Sequence, residues 1–429
     1  MIREDGAEND VSRRRRPRRK RRRLNPRVVP VMFALLLFIL IGGFAAGRFL
    51  YQKYSPSKEM ADLNEYFGLE SDQDMAVVVN QENVGDMARL IDGKVYVHVD
   101  TVAQYIDDRY YWDATENLYL YALPKELVSV GVGSSSYTVA KASQDEGYVI
   151  LRADGSDAYV ALDFLQKYTN FTYQYWEEPN RVRIVTAFGS KDIVTVQKDT
   201  AVRWKAGIKS DILSKVSKGT ELFVLDEPEE IDQWTRVLTE DGFIGYIRDS
   251  KISDIGQKEE TAPEFTEPEY TSISKDYKIN MTWHQVTNME ANNYLLNKIA
   301  DAKGLTTISP TWFSIADTDG NISSLASQSY VTYAHQQGLE VWGLVDNFKD
   351  GVSTYETLSR TSSRQRLVNQ LTAAAIQYGL DGINVDFELI TQDCARAYIE
   401  FIRELSIMCR INGIVLSVDN YVPTADRKS

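Results

Sequence analysis

The chain has 429 residues, of which 43% are hydrophobic and 25% are charged. This length exceeds one ordinary domain, and the globular composition excludes a chain that is disordered throughout. The sequence holds two cysteines and three scattered histidines. These numbers exclude a disulfide framework and a multi-cysteine zinc site, and they disfavour a histidine-rich metal centre. We therefore expect neither a metal ion nor a cofactor.

The charge is unevenly distributed along the chain. Residues 1–27 carry 12 Lys and Arg against 4 Asp and Glu, a net charge of +8. The other 402 residues carry 36 basic and 57 acidic side chains, a net charge of −21. This asymmetry predicts that the basic tail lies in different surroundings from the acidic body.

An uncharged apolar run over residues 28–47 follows the basic tail. At ~1.5 Å per helical residue it would cross the roughly 30 Å hydrocarbon core of a bilayer. The basic flank places residues 1–27 in the cytoplasm and the body outside the cell membrane. Nucleic-acid binding is the alternative for the arginines, but their position beside the apolar run favours lipid headgroups. A cleavable signal peptide is the rival to an uncleaved anchor over residues 28–51, which the length of the run favours.

The next segment, residues 52–75, is polar and predicts a stalk. An internal repeat with an offset of 63 to 64 residues then fills residues 76–189, where residues 96–100 are echoed by residues 159–163. Each copy predicts a strand, a helix opened by Asp, and further strands. The unit resembles the small α+β stalk domain of copper amine oxidases, which implies spacing or binding without redox chemistry. Its Tyr and Trp residues would form core or bind glycan.

Closely spaced short strands and turn signals, including Lys218-Gly219 and Asp241-Gly242, occupy residues 192–255. Their order resembles the bacterial Src-homology-3-like β-barrel, and the resemblance implies attachment to the cell wall. Residues 256–276 are rich in Glu, Pro, Thr and Ser and predict a linker.

From residue 277 to residue 429, strands alternate with helices, which predicts a parallel sheet. The pattern fits the first five units of a (β/α)8 TIM barrel, whose active site lies at the carboxyl ends of the strands. The whole chain is therefore predicted to be multidomain, with one transmembrane helix, α+β stalk repeats, a small β-barrel and a partial TIM barrel.

The fourth predicted strand of this segment reads DGINVDFE over residues 381–388. Because side chains alternate along a strand, Asn384, Asp386 and Glu388 should share one face, with apolar residues on the other. Two carboxylates roughly 7 Å apart could take separate roles, one as a protonated general acid and the other as a charged group, as glycosidic catalysis requires. A structural pair that caps the next helix is the alternative.

This octapeptide is similar to the DxxDxDxE signature of glycoside hydrolase family 18, the chitinase-like barrels. Asp381, Asp386 and Glu388 match the signature, while Asn384 stands where many members have Asp. The resemblance is strongest to the spore-cortex and cell-wall N-acetylglucosaminidases. It implies that Glu388 is the general acid and that Asp386 orients the 2-acetamido group of the substrate as that group attacks. Asp381 and Asn384 would support Asp386.

Such substrate assistance implies an N-acetylated polysaccharide, peptidoglycan or chitin-like, as the partner, together with the cell wall, and no nucleic acid. The substrate-binding candidates are Trp312, in a predicted loop, with Asn347 and Tyr421, which each follow a strand. Trp283 and Trp342 are predicted to be core residues. Cys394 and Cys409 fall on one predicted helix, too far apart for a disulfide, which suits a Gram-positive or anaerobic cell surface.

A complete barrel needs about 200 to 250 residues, whereas residues 277–429 supply 153 and five strands. The sequence is therefore expected to be a truncated product. Two classes of function stay open. The first is a membrane-anchored glycosidase that retains anomeric configuration, and the second is a wall-binding surface protein that has no catalysis.

Overall fold

A long helix, α1 (Val29–Tyr54), begins the described part of this computed structural model, which covers residues 28–155, 157–227 and 231–420. All side chains of α1 are exposed, and within the described ranges it is the one helix long and apolar enough to cross a membrane. The basic tail over residues 1–27 lies outside the described residues.

The segment predicted to be a stalk is partly packed. Helix α2 (Leu63–Phe67) begins at Asp62, whose carboxylate accepts the N–H groups of Asn64 and Glu65. Phe67 is buried, with its ring 5.5 Å from that of Phe243. Hydrophobic burial therefore fastens the segment after α1 to the small β-sheet domain described below.

The repeat region forms two sheets. Its elements are β1 (Asp74–Val79), β2 (Glu82–Ile91), β3 (Lys94–His98), α3 (Val99–Thr101), β4 (Tyr110–Asp113), β5 (Leu118–Ala122), β6 (Leu127–Gly131), β7 (Ser136–Val139), β8 (Ala142–Asp145), β9 (Leu151–Asp154), β10 (Asp157–Ala161), α4 (Leu162–Leu165), β11 (Thr172–Trp176) and β12 (Arg181–Val185). The first sheet has the order β11-β12-β1-β2-β3-β10-β9, and the second runs β4 to β8. We call this unit the repeat domain.

Both copies of the internal repeat lie in the same order of elements: hairpin, short helix, second hairpin. Strand β3 of one copy pairs antiparallel with β10 of the other, with Val97 opposite Val160. Because each copy supplies only part of a sheet, the pairing buries the apolar faces of both copies in one core.

The next seven strands form one antiparallel sheet with the order β15-β14-β18-β17-β16-β13-β19. They are β13 (Gly189–Thr195), β14 (Thr200–Arg203), β15 (Ile212–Val216), β16 (Glu221–Val224), β17 (Trp234–Leu238), β18 (Ile244–Arg248) and β19 (Gly256–Glu260). Gly219 and Gly242 have φ of 92° and 90° at the two predicted turns, a conformation that favours glycine. The predicted linker is shorter than expected, since its first five residues form β19.

The last region alternates strands and helices. Its elements are β20 (Met281–His284), α5 (Leu295–Ile299), β21 (Thr307–Ile315), β22 (Ile322–Ser324), α6 (Gln328–Gln336), β23 (Glu340–Asp346), α7 (Thr354–Ser359), α8 (Thr361–Tyr378), β24 (Gly382–Asp386), α9 (Ala395–Asn412) and β25 (Val415–Val418). Strands β20, β21, β23, β24 and β25 are parallel neighbours in chain order, and β22 pairs antiparallel with β21. The carboxyl ends of five strands therefore meet at one edge. We call this unit the parallel-sheet domain.

Helices α8 and α9 pack against each other, and α9 also packs against β5 in the second sheet of the repeat domain. Tyr111 and Leu120 of that sheet belong to the same buried cluster as the apolar residues of the parallel-sheet domain. Cys394 and Cys409 are both free and buried near the two ends of α9. Burial raises the pKa of their thiols to about 11 and about 12.

Candidate active site

An open cleft of about 1290 Å³ lies where the parallel strands end. In strand β24, Ile383 and Val385 are buried, and Asp386 closes the strand beside Asp346 of β23. Asp419 follows β25 and donates its backbone N–H to the carbonyl of Val385 at 2.9 Å. The cleft lining includes Trp283, Gln285, Thr311, Asp386, Glu388, Tyr398 and Asp419.

Asp386 has a raised pKa. The largest cause is burial, followed by repulsion from the carboxylates of Asp419, Glu388 and Asp346. Burial disfavours the charged form of a carboxyl, and neighbouring negative charges act in the same direction. A carboxyl with a shifted pKa in a cleft is typical of an acid–base catalytic site, although clusters of charges with a structural role shift pKa values as well.

Glu388 lies two residues beyond the end of β24, and its side chain is exposed. Its backbone is held by Asn347, which follows β23. The Glu388 N–H donates to Asn347 Oδ1 at 2.9 Å, and Asn347 Nδ2 donates to the Glu388 carbonyl at 2.9 Å. Asn347, a substrate-binding candidate from the sequence, thus contacts the backbone of Glu388.

Asn384 is fully buried and contacts a carboxylate other than the predicted one. Its Nδ2 donates to Asp419 Oδ2 at 2.8 Å, and its Oδ1 accepts the hydroxyl of Ser417 at 2.8 Å. The amide therefore orients Asp419, which in turn raises the pKa of Asp386. Support of Asp386 by Asn384 is indirect in this arrangement.

Asp381 lies at the opposite end of β24 and does not join the other signature residues. Its Oδ2 accepts the N–H of Val341 at 2.8 Å and lies 2.8 Å from His335 Nε2. The expected direct support of Asp386 by Asp381 is not present, because the strand of residues 382–386 separates the two carboxylates. Asp381 instead fixes the start of β24 against β23 and α6.

Two tryptophans exchange the positions predicted from the sequence. Trp312 is only 2% exposed, and its indole Nε1 donates to Asn292 Oδ1 at 2.8 Å. The prediction of a sugar-stacking Trp312 is wrong because β21 continues to Ile315 and carries Trp312 into the core. Trp283 is 58% exposed and lines the cleft, so its assignment to the core is wrong too.

The expected core position of Trp342 is confirmed, since this side chain is 3% exposed. Tyr421, the remaining substrate-binding candidate, lies outside the described residues. Across residues 28–155, 157–227 and 231–420, no group of three or more His, Cys, Asp or Glu side chains could hold a metal ion.

The structure adds two cleft residues that have no role in the sequence predictions, Asp419 and Tyr398, and it places Asp346 opposite Asp386 on the neighbouring strand. Asp346 and Asp419 each close or follow a strand, which is a signal that could have identified them. Tyr398 lies on α9, and its ring centre is 5.8 Å from that of Phe387, with the two ring planes tilted by 34°. Burial raises the Tyr398 pKa to about 12, with Asp419 and Asp386 adding to the shift.

Comparisons with known proteins cover only part of the chain. No protein-family profile matches the chain. A stretch of 119 residues, 26% of this chain, is 25% identical to 35% of "Uncharacterized glycosylase YvbX" of Bacillus subtilis (strain 168). The chain thus spans about a third of the length of this curated relative.

Two solved structures share limited similarity with this chain. A chitinase from Chromobacterium violaceum ATCC 12472 matches 33% of this chain and 44% of its own, with 20% identity and a TM-score of 0.28. The spore cortex-lytic enzyme SleL of Bacillus megaterium QM B1551 matches 36% of this chain and 38% of its own, with 18% identity and a TM-score of 0.28.

Proposed function

We propose that this protein is a glycoside hydrolase that cleaves β-linked N-acetylated glycans of the peptidoglycan or chitin type. The observation that carries the proposal is the pairing of Asp386 and Glu388 in one cleft at the carboxyl edge of a parallel sheet. The similarity to a protein described as a glycosylase supports the same reaction class. The octapeptide that resembles the family 18 signature supports the substrate-assisted route.

In the proposed reaction, Glu388 donates its proton to the glycosidic oxygen as the bond to the anomeric carbon breaks. The carbonyl oxygen of the 2-acetamido group of the substrate attacks that carbon from the opposite face and forms an oxazolinium ion. Water then opens this ion while Glu388 takes back a proton, so the anomeric configuration is retained. The exposure of the Glu388 side chain leaves it accessible to a polymer that lies in the cleft.

Asp386 orients the acetamido group and balances the positive charge that develops on it. Its raised pKa gives it a greater affinity for a proton before substrate binds, and the developing cation favours its ionised form. Asp419 and Asp346 add negative charge beside it. Fixed charges that stabilise the charge developing in the transition state are usually the largest single contribution to enzyme catalysis.

Trp283 supplies an apolar surface at the cleft, where a sugar ring can stack. Its 58% exposure leaves the indole accessible. An aromatic side chain combines a large apolar area with few rotatable bonds, so stacking on it costs little conformational entropy. Trp283 takes the role in substrate binding that the sequence analysis gave to Trp312.

Helix α1 anchors the protein in the cell membrane, with the basic tail in the cytoplasm and the folded body on the side of the cell wall. The support is the length of α1, 26 residues, and the arginine-rich flank that precedes it. Protease added to intact cells should remove the body and spare the tail. Protection of the body from protease would contradict this orientation.

The catalytic proposal is tested with full-length protein in detergent, using chitin oligomers and their deacetylated counterparts. Wild-type protein should cleave only the acetylated oligomers, since the acetamido group is the nucleophile. Glu388→Gln should lower kcat by roughly 10²–10⁴-fold, the usual contribution of a general acid. The matched control is Glu126→Gln, at an exposed glutamate of the repeat domain. Equal product from wild type and Glu388→Gln, or equal cleavage of deacetylated oligomers, would contradict the proposal.

A further inference from the structure

The backbone of Glu388 is not held by the hydrogen bonds of the sheet. Strand β24 ends at Asp386, so Glu388 lies outside the ladder of hydrogen bonds that fixes the strand. Leu389, the next residue, has φ of 55° and is 85% exposed. A bulky residue in the left-handed region is uncommon. The proposed acid thus lies between a strand end and an exposed residue with left-handed backbone.

The side chain of Asn347 forms the backbone hydrogen bonds with Glu388 that the strand no longer provides there. Its Oδ1 accepts the N–H of Glu388, and its Nδ2 donates to the carbonyl of the same residue, both at 2.9 Å. One amide group thereby satisfies both backbone polar groups of Glu388, as a neighbouring strand would do. A paired contact of this kind restricts the rotation of the Glu388 backbone about φ and ψ together.

Asn347 is itself held in place from two sides. Strand β23 ends one residue before it, and that strand pairs in parallel with β24, with Asp346 opposite Asp386. Its Nδ2 also donates to the hydroxyl of Thr354 at 2.9 Å. Thr354 is the first residue of α7, whose start is capped by the hydroxyl of Ser353. The amide of Asn347 is therefore oriented by a strand end and a helix start.

We propose that Asn347 is a positioning residue that aims the general acid by clamping the Glu388 backbone. This inference rests on the proposed function of the cleft. Proton transfer to a leaving oxygen requires the donor within hydrogen-bond reach, and small misplacements of a reacting group are costly. A clamp on the backbone sets the origin of the Glu388 side chain and leaves the carboxyl free to reach the substrate.

The proposed clamp and the substrate-binding role that the sequence predicts for Asn347 affect different kinetic constants. A residue that binds substrate equally in the ground and transition states alters KM and leaves kcat unchanged. A residue that aims the acid alters kcat and leaves KM nearly unchanged. The same variant therefore separates the two roles.

The test uses full-length protein with Asn347→Ala, and Asn412→Ala as the matched control. Asn412 is exposed at the end of α9, away from the carboxyl edge of the sheet, and its amide donates to the Met408 carbonyl. Asn347→Ala should lower kcat on chitin oligomers by about 10- to 100-fold, with KM within about twofold. A raised KM with unchanged kcat would overturn the inference in favour of substrate binding.

Hydrogen exchange at the Glu388 amide gives a second measurement that is independent of activity. Asn347→Ala removes its acceptor, so this amide should exchange about tenfold faster or more, whereas exchange in Asn412→Ala should match wild type. Asn347→Asp keeps an acceptor oxygen and should keep the amide protected, while losing the donor to the Glu388 carbonyl. Unchanged exchange in Asn347→Ala would overturn the clamp.

Glu388→Gln distinguishes failure of the clamp from failure of the proposed function. When Glu388→Gln is inactive and Asn347→Ala retains full kcat, the positioning role is wrong and the proposed function stands. When Glu388→Gln is as active as wild type, the proposed function is wrong, and the positioning role of Asn347 is then wrong as well.

Discussion

The carboxylate of Asp113, in the repeat domain, accepts both the backbone N–H and the hydroxyl of Thr361 at 2.6 Å each. Thr361 is the first residue of α8, and the two residues are 248 positions apart in the chain. The same carboxylate is almost fully buried and also accepts the N–H groups of Thr115 and Glu116. The repeat domain thus caps a helix of the parallel-sheet domain, so the two units share their stability.

We expect Asp113→Ala to destabilise both domains together. The change removes a helix cap and leaves buried donors without an acceptor, which costs about 2–3 kcal/mol in the free energy of unfolding. Chemical denaturation of the full-length protein measures this loss, and hydrogen exchange at residues 361–364 locates it. The matched control is Asp108→Ala, at an exposed carboxylate paired with Arg403, where a loss below about 1 kcal/mol is expected. Equal losses for the two variants would contradict the cap.

A buried group of charges lies beside this contact. Arg364 is fully buried, donates to Glu404 Oε1 at 2.8 Å, and has its guanidinium 4.7 Å from the centre of the Tyr111 ring. Glu400 is buried too, and neither of its carboxyl oxygens has a hydrogen-bond partner among the described residues. Arg403 approaches Glu400 Oε2 only to 3.7 Å.

This burial makes stability depend on pH through Glu400. Burial, with repulsion from Glu404, raises the pKa of Glu400 from 4.5 to about 8 in the folded protein, against attraction from Arg364 and Arg403. The folded state therefore binds this proton more tightly than the unfolded state. Its contribution to stability is complete below about pH 4.5 and is lost as the pH rises to about 8.

We expect Glu400→Gln to weaken the fall of the melting temperature between pH 5 and about pH 9. Glutamine is neutral at every pH, so this variant should melt above wild type at about pH 9 and lose the slope that Glu400 contributes. Glu404→Gln should instead lower the melting temperature throughout, because it leaves the Arg364 guanidinium without its carboxylate. Identical pH slopes for wild type and Glu400→Gln would show that Glu400 is not protonated in the folded protein.

The two tryptophans give a paired prediction about substrate binding. Trp283→Ala should raise KM for chitin oligomers about 5- to 30-fold, because it removes about 1–2 kcal/mol of apolar contact with a sugar ring. Trp312→Phe should leave KM unchanged and lower the melting temperature, since it removes the buried hydrogen bond to Asn292. A KM effect at Trp312 without one at Trp283 would reverse this assignment. Tryptophan fluorescence on addition of oligomer provides a check that needs no turnover.

The strand pattern of the parallel-sheet domain could be predicted from the sequence, because it depends on local alternation. Ile383 and Val385 are buried and Asp386 lines the cleft, as the alternation predicts, whereas Asn384 on the polar face is buried as well. The positions of strand ends could not be predicted as well. Trp312 lies in the core because β21 continues through the predicted loop to Ile315, and nothing local marks that extension.

Contacts between strands and between domains could not be predicted from the sequence, for a different reason. The pairing of Asp346 with Asp386 depends on the register of β23 against β24, which a single sequence does not specify. The contact of Asp113 with Thr361 depends on how two domains dock, and each residue alone is an ordinary turn or helix-start residue. The motif predicts Asp381 beside the two carboxylates proposed to be catalytic, although the length of β24 separates it from them.

The last prediction concerns the electrostatics of Asp386. After burial, Asp419 is the largest cause of its raised pKa. Asp419→Asn removes that charge and keeps an oxygen that can accept the Asn384 amide, so the pKa of Asp386 should fall toward its ordinary value. Since the proposed mechanism uses ionised Asp386 to orient the acetamido group, the acidic limb of kcat/KM should move to lower pH.

Asp346→Asn should move the acidic limb in the same direction by a smaller amount, because Asp346 is the weakest of the three charged neighbours. Asp350→Asn, at an exposed position past the end of β23, is the matched control and should leave the limb in place. The pH–rate profiles of the three variants on one acetylated oligomer make the measurement. An acidic limb that stays in place while the alkaline limb moves to lower pH in Asp419→Asn would mean that protonated Asp386 is the active form, because lowering its pKa would then remove the proton that the reaction uses.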